Sequence, residues 1–210
     1  MKKNLKVVLM MLMGMVFAGY AAADVLVYDD FESYGSTDDL QAVWHTYDDY
    51  NPGLIPVLNT TDSYEGSQCM ELDSPVTSDW GIELGQKEDV TDISAYNTMT
   101  FWVMSTDVST TWDISVSLRD SSGNDIVSFV GYTELYGDGT WQQVTITFDD
   151  STGDLTELSQ ILIWFNSDPT TDEEGIAQFY VDDVEFSYVV PEPATLSLLG
   201  LGGLLLRRKK

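Results

Sequence analysis

Trp112-Asp-Ile-Ser-Val-Ser-Leu-Arg119 alternates apolar and polar residues without a break. A period of two marks a β-strand with one face in a core and the other turned away from it. The pattern recurs over Thr98–Met104, Ile126–Val130, Trp141–Phe148, Leu158–Phe165 and Gln178–Tyr188, with weaker versions at Val25–Tyr28, Ile55–Leu58, Gln68–Leu72 and Gly81–Leu84. Turn chemistry separates the runs at Asp120-Ser-Ser-Gly-Asn124, Tyr136-Gly-Asp-Gly139 and Asp150-Ser-Thr-Gly153. No segment carries a long helical period, and only Asp38–Trp44 reads as a helical turn. Many short antiparallel strands of this kind predict an all-β fold, a jelly-roll β-sandwich of two antiparallel sheets.

Alternation also sorts the faces. Phe101 and Val103, Trp112, Ile114, Val116 and Leu118, Val144, Ile146 and Phe148, and Ile161, Ile163 and Phe165 form the predicted core rows. The opposite rows mix Trp102, Arg119, Gln143, Leu162 and Trp164 with small polar residues. Flat aromatic rings can lie against the apolar faces of sugar rings while amide and guanidinium groups take hydroxyls, so these rows read as a sugar-binding platform. Trp102, Trp164, Arg119 and Gln143 are the expected contacts, with Tyr47, Tyr50 and Trp80 as candidates on loops. The alternative is that the two tryptophans are covered by a loop or by the N-terminal segment.

The two ends of the chain read as addresses. Lys2, Lys3 and Lys6 precede an apolar run from Val7 to Ala18 and an A-x-A site at Ala21–Ala23, the layout of a secretory signal over residues 1–23. Residues 24–188 form the predicted domain, and residues 189–210 a tail: Pro191-Glu-Pro193, an apolar stretch from Thr195 to Leu206, then Arg207-Arg-Lys-Lys210. Only Lys87 and Arg119 remain in the domain, against 34 carboxylates, a net charge of −32. Nucleic acid and anionic membrane surfaces are thereby disfavoured as partners, whereas neutral sugars and cations are not. The single Cys69 forms no internal disulfide.

Two acidic clusters interrupt the apolar pattern. In Phe179-Tyr-Val-Asp-Asp-Val-Glu-Phe186, strict alternation puts Tyr180, Asp182, Val184 and Phe186 on one face and Val181, Asp183 and Glu185 on the other. An Asp among apolar neighbours is costly unless paired or bound to a cation. Asp29-Asp-Phe-Glu32 is the second cluster, near the other end of the domain. The expectation is that the two clusters meet around a Ca²⁺ ion that closes the sandwich.

The tail resembles the PEP-CTERM sorting signal of exopolysaccharide-producing Gram-negative bacteria on its three parts in order: Pro191, Glu192 and Pro193, the hydrophobic stretch and the basic tip. That resemblance implies export, processing by an exosortase, transient membrane association through the C-terminal helix, and delivery to the cell surface or extracellular matrix. The domain is similar to carbohydrate-binding modules of the galactose-binding-like jelly-roll superfamily. The phrases that carry the likeness are Asp30-Phe-Glu-Ser-Tyr34, Tyr64-Glu-Gly-Ser67, Asp92-Ile-Ser-Ala-Tyr96, Thr100-Phe-Trp-Val103, Trp141-Gln-Gln-Val-Thr-Ile146, Gln160-Ile-Leu-Ile-Trp-Phe165 and Phe179-Tyr-Val-Asp-Asp-Val184. It implies a structural Ca²⁺ between the first and last strands, with Glu32 and Asp182 as ligands, Asp30 and Asp183 as further ones, and main-chain carbonyls near Glu65 or Gly66 completing the shell.

No nucleophile–base or metal-hydrolase signature is present, and no carboxylate pair is singled out for glycoside hydrolysis. His45 reads as a surface residue in a loop, and Cys69 as a small buried one. A non-catalytic polysaccharide-binding module is therefore expected. The alternative is a structural or adhesive matrix protein without sugar binding, for which the Trp-bearing face would be occluded or flat.

Overall fold

The computed structural model describes residues 24–46, 56–76, 82–106, 111–148, 153–167 and 175–189. Eleven strands and one short helix are present among them: β1 Val25–Asp29, α1 Thr37–Val43, β2 Trp44–Thr46, β3 Val57–Asn59, β4 Cys69–Val76, β5 Ile82–Thr91, β6 Thr98–Ser105, β7 Thr111–Arg119, β8 Asp125–Tyr136, β9 Gln142–Thr147, β10 Leu158–Ser167 and β11 Gly175–Ser187. They form two sheets. The first has the order β3-β4-β11-β6-β9, with β1 also paired to β11; the second has the order β2-β5-β10-β7-β8. Every pairing is antiparallel.

The predicted core rows are the core. Phe101, Val103, Val144 and Ile146 of the first sheet are buried against Ile114, Val116, Leu118, Ile161, Ile163 and Phe165 of the second. Phe165 and Phe179 meet across the sheets with ring centroids 4.5 Å apart. The side chain of Trp112 lies outside the described part of the structure.

The four weaker strand candidates are all strands, and β4 and β5 run further than their alternation showed. The helical turn is α1, capped by Ser36, whose hydroxyl accepts from the Asp39 N–H at 3.2 Å, with Asp38 and Asp39 in the first turn where the helix dipole favours them. Immediately after it, Trp44 turns fully into the core and pairs with Gln86. His45 is exposed as expected, but it lies in the short strand β2 and not in a loop. Three residues are too few to register as a period.

β11 departs from strict alternation. The register between β11 and β6 slips between Asp182 and Glu185, and Asp183 has φ 48. This is a β-bulge, which inserts one residue and reverses the phase of the rest of the strand. Tyr180 and Asp182 therefore face outward, whereas Phe179, Val181, Val184 and Phe186 all belong to the core. The expected grouping of Asp182 with Val184 and Phe186 is corrected by that inserted residue.

Candidate functional site

The strand order puts the four expected sugar contacts on opposite sides of the molecule. Trp102 of β6 lies in register with Gln143 of β9 on the outer face of the first sheet. Trp164 of β10 pairs with Ser115, and Gln160 with Arg119, on the outer face of the second. The single platform expected from the sequence is thus two faces separated by the core. Alternation reports in or out but not which sheet a strand joins, and both outward rows look alike in sequence.

On the second sheet, Trp164 is half-buried and is flanked in register by Ser115 and Glu83, while Leu162 lies between Ser117 and Gly85. Leu162, Ser115 and Ser117 are themselves buried although they point away from the core. The small residues Ser115, Ser117 and Gly85 leave the Trp164 ring as the largest side chain of this row. The Arg119 guanidinium is fixed by its Nε bond to Asp125, at 2.7 Å. Beside it, the Gln160 side-chain oxygen is buried and has no hydrogen-bond partner.

On the first sheet, Trp102 does not present an open ring. Tyr64, from the segment between β3 and β4, stacks on it with centroids 3.7 Å apart and planes at 15°. Trp141 stands against Tyr64 at 6.0 Å and 66°, and against Tyr180 at 6.4 Å and 66°. Beneath them Cys69, Met104 and Tyr180 make a small satellite core on the outer side of the sheet. Burial and the negative charge of Asp182 and Glu71 push the Cys69 thiol up to about 12, so it is an inert packing residue. Neither Tyr64 nor Trp141 was among the expected contacts: Tyr64 stands outside the alternating runs, and Trp141 opens the Trp141–Phe148 run on the same face as Gln143.

The two acidic clusters do meet, through β1, which pairs with β11 so that Asp29 lies opposite Val184. What they hold is the 64–68 segment. Asp182, fully buried, accepts from the Tyr64 N–H at 2.8 Å and the Glu65 N–H at 3.3 Å with one oxygen, and from the Asp183 N–H at 2.9 Å with the other. Glu32 accepts from the Ser67 N–H at 2.6 Å, the Ser67 hydroxyl at 2.8 Å and the Gln68 N–H at 2.8 Å. Main-chain donors thus satisfy the hydrogen bonding of the buried Asp182 carboxylate. Burial nonetheless raises Asp182 to about 6, with the N–H donors pulling the other way.

Around these anchors the remaining carboxylates repel one another. Asp183 is raised by burial and then by the charges of Glu65, Glu185, Asp30 and Glu32. Among the described residues, no three carboxylates converge closely enough to hold a metal ion by themselves. Asp29, part of the second acidic cluster but not among the expected ligands, is a further anchor. It accepts from Trp44 Nε1 and the Tyr34 hydroxyl, both at 2.6 Å, and from the Phe31 N–H at 2.8 Å. It holds Phe31 at φ 58 in the core.

Tyr47, Tyr50, Trp80, the signal segment and Pro191, Glu192 and Pro193 lie outside the described residues. No described helix is long and apolar enough to cross a membrane.

The PEP-CTERM protein-sorting motif matches residues 189–210. No curated protein sequence matches the chain. Solved structures match it in fold. The family 11 carbohydrate-binding module from Clostridium thermocellum, in complex with a β-1,3-1,4-mixed-linked tetrasaccharide, is 16% identical with a TM-score of 0.53, covering 82% of this chain and 100% of that one. A carbohydrate-binding module specific for non-crystalline cellulose, CBM28, is 13% identical with a TM-score of 0.54, covering 71% and 90%. The CBM22-1 and GH10 modules of xylanase 10B from Clostridium thermocellum, complexed with xylohexaose, are 14% identical with a TM-score of 0.53, covering 81% of this chain and 29% of that one. The chain is thus an exported protein, sorted to the cell surface or extracellular space by its tail, and its domain has the β-sandwich fold of carbohydrate-binding modules.

Proposed function

We propose that the domain is a non-catalytic polysaccharide-binding module of the cell surface or matrix, and that it takes a neutral glycan on the outer face of the second sheet. The observation that carries this reading is the half-buried Trp164 ring on the same outer strand face as Arg119, whose guanidinium Asp125 holds in place. Trp164 offers the apolar stacking surface, and Arg119 is oriented by Asp125 toward sugar hydroxyls. The fold likeness to modules described as in complex with a β-1,3-1,4-mixed-linked tetrasaccharide and as specific for non-crystalline cellulose supports the same class of ligand. Exosortase processing of the tail delivers such a module to the polysaccharide that surrounds the cell.

The test is affinity electrophoresis through gels containing mixed-linkage β-glucan, xylan or the producing cell's own exopolysaccharide. Retention is expected with at least one, weakened in the Trp164→Ala and Arg119→Ala variants. Absence of retention on all three sinks the reading in favour of a structural or adhesive matrix protein.

We further propose a structural Ca²⁺ beside the β11 bulge, held by Asp183 with Asp30, Glu65 or Glu185 and by main-chain carbonyls. Its support is the mutual repulsion of those carboxylates, which a divalent cation relieves. Glu32 and Asp182, the ligands implied by the resemblance, act here first as anchors of the 64–68 segment. Chelation should lower the melting temperature of the wild type and leave Asp183→Asn unmoved. An identical wild-type melt with and without chelator overturns the ion.

A further inference from the structure

We propose that the outer face of the first sheet carries a second glycan-binding site, an aromatic corner made by Tyr64 and Trp141, so that one molecule bridges two polysaccharide chains. This rests on the reading of the Trp164 face as sugar binding and adds to it a cross-linking function.

Three observations converge on the corner. Its shape is one: Tyr64 is 41% exposed and lies flat on Trp102, while Trp141 stands at 66° to it, giving a floor and a wall of aromatic surface. Trp102, occluded as a platform, is the backing that keeps the Tyr64 ring in place. Next, the corner has a polar edge in Gln143, exposed and in register with Trp102. Finally, the molecule holds Tyr64 at a cost. Its main chain is pinned by the fully buried Asp182, the rest of the segment by Glu32, and the turn passes through Gly66 at φ 66. A loop that only needed to shield apolar surface could do so with apolar contacts. Rigid fixing of an exposed ring instead removes the ordering cost that binding would incur.

The ligand class rests on the chemistry of these groups. A pyranose lays its C–H face on Tyr64 with its edge against Trp141 and offers hydroxyls to the Gln143 amide. The charge of −32 on the domain disfavours an acidic glycan. The two faces lie on opposite sides of a sandwich whose sheets pack about 10 Å apart, before side chains are added. One extended glycan strand does not lie on both, so simultaneous occupation joins two strands.

The experiment combines affinity gels with the viscosity of a soluble mixed-linkage β-glucan or xylan solution, using the polysaccharide that retains the wild type. Wild-type protein is expected to raise the viscosity. Trp164→Ala and Tyr64→Ala should each remain partly retained in gels yet lose the viscosity effect, and the double variant should migrate as if no polysaccharide were present. Tyr64→Phe, which keeps the ring, should behave as wild type. If Tyr64→Ala disturbs the melting curve, Trp141→Ala takes its place. Complete loss of retention in Trp164→Ala alone leaves the first site standing and overturns the second. No retention of the wild type on any of the polysaccharides overturns both.

Discussion

Asp182 shows how burial can be legible in a sequence while the hydrogen-bond donors that make it tolerable are not. A carboxylate in an apolar strand demanded a reason, and the structure supplies three main-chain N–H donors, two of them more than a hundred positions away in the chain. Nothing in the local sequence of β11 could name them. The sign of its pH dependence is set by the balance of forces. Burial outweighs the donors, so the folded carboxyl titrates at about 6, above its ordinary value. Its contribution to stability is fully present below the unfolded value near 4 and is lost as pH rises through 6. Asp29, Asp183 and Glu185 are raised as well and act in the same direction. In calcium-free buffer the melting temperature should therefore climb as pH falls from 7 toward 4. Below that it should turn down, as Glu32, lowered by its bonds to Ser67 and Gln68, becomes protonated. Asp182→Ala should flatten the climb and lower stability at pH 7, by about 2–4 kcal/mol for the stranded donors less the relief of desolvation. A melting temperature that falls steadily from pH 7 to 5 in the wild type contradicts this account.

At the scale of elements, what was legible was whatever repeats. Ten of the eleven strands and the inward rows came from a period of two, since that period is imposed by backbone geometry and by one buried face. The missed strand, β2, is three residues long, and the β11 bulge inverts a phase that nothing in Val181-Asp-Asp-Val184 announces. The division of Trp102 and Gln143 from Trp164 and Arg119 was invisible for a different reason: sheet membership is a long-range property, decided by strand order. Tyr64 sits on a connection, where no periodicity exists to place it, and Trp141 directly precedes β9. The 64–68 segment concentrates these unread features, and Gly66 is where it is most easily broken. Its φ of 66 suits glycine, and a Cβ there would run into the Glu32 carboxylate. Gly66→Ala should thus cost about 1–3 kcal/mol of backbone strain and displace Glu32 from Ser67 and Gln68. Urea denaturation reads the loss, and tryptophan fluorescence reads any shift of Tyr64 off Trp102. A neutral substitution on both measures would mean that the segment is held less tightly than its hydrogen bonds imply.

For the whole molecule, charge is the dominant fact. The domain carries 34 carboxylates with only Lys87 and Arg119 against them, and the single ion pair found among the described residues is Arg119 with Asp125. Part of that charge lies on exposed loops, where Asp92, Asp120, Asp138 and Asp154 cap their own turns. Such a surface repels itself and repels acidic polymers, yet it has no bearing on an uncharged sugar lying on a tryptophan. Stability and binding should consequently respond differently to salt. At pH 7, raising sodium chloride from about 10 mM to about 0.5 M shortens the screening length from about 30 Å to a few ångströms and should raise the melting temperature by several degrees. Retention on a neutral glucan gel should change less than about twofold over the same range, because no counterions are released on binding. If retention instead collapses with salt, the polymer is held by charge, and the polysaccharide partner must carry cations or reach the acidic surface through bridging metal ions.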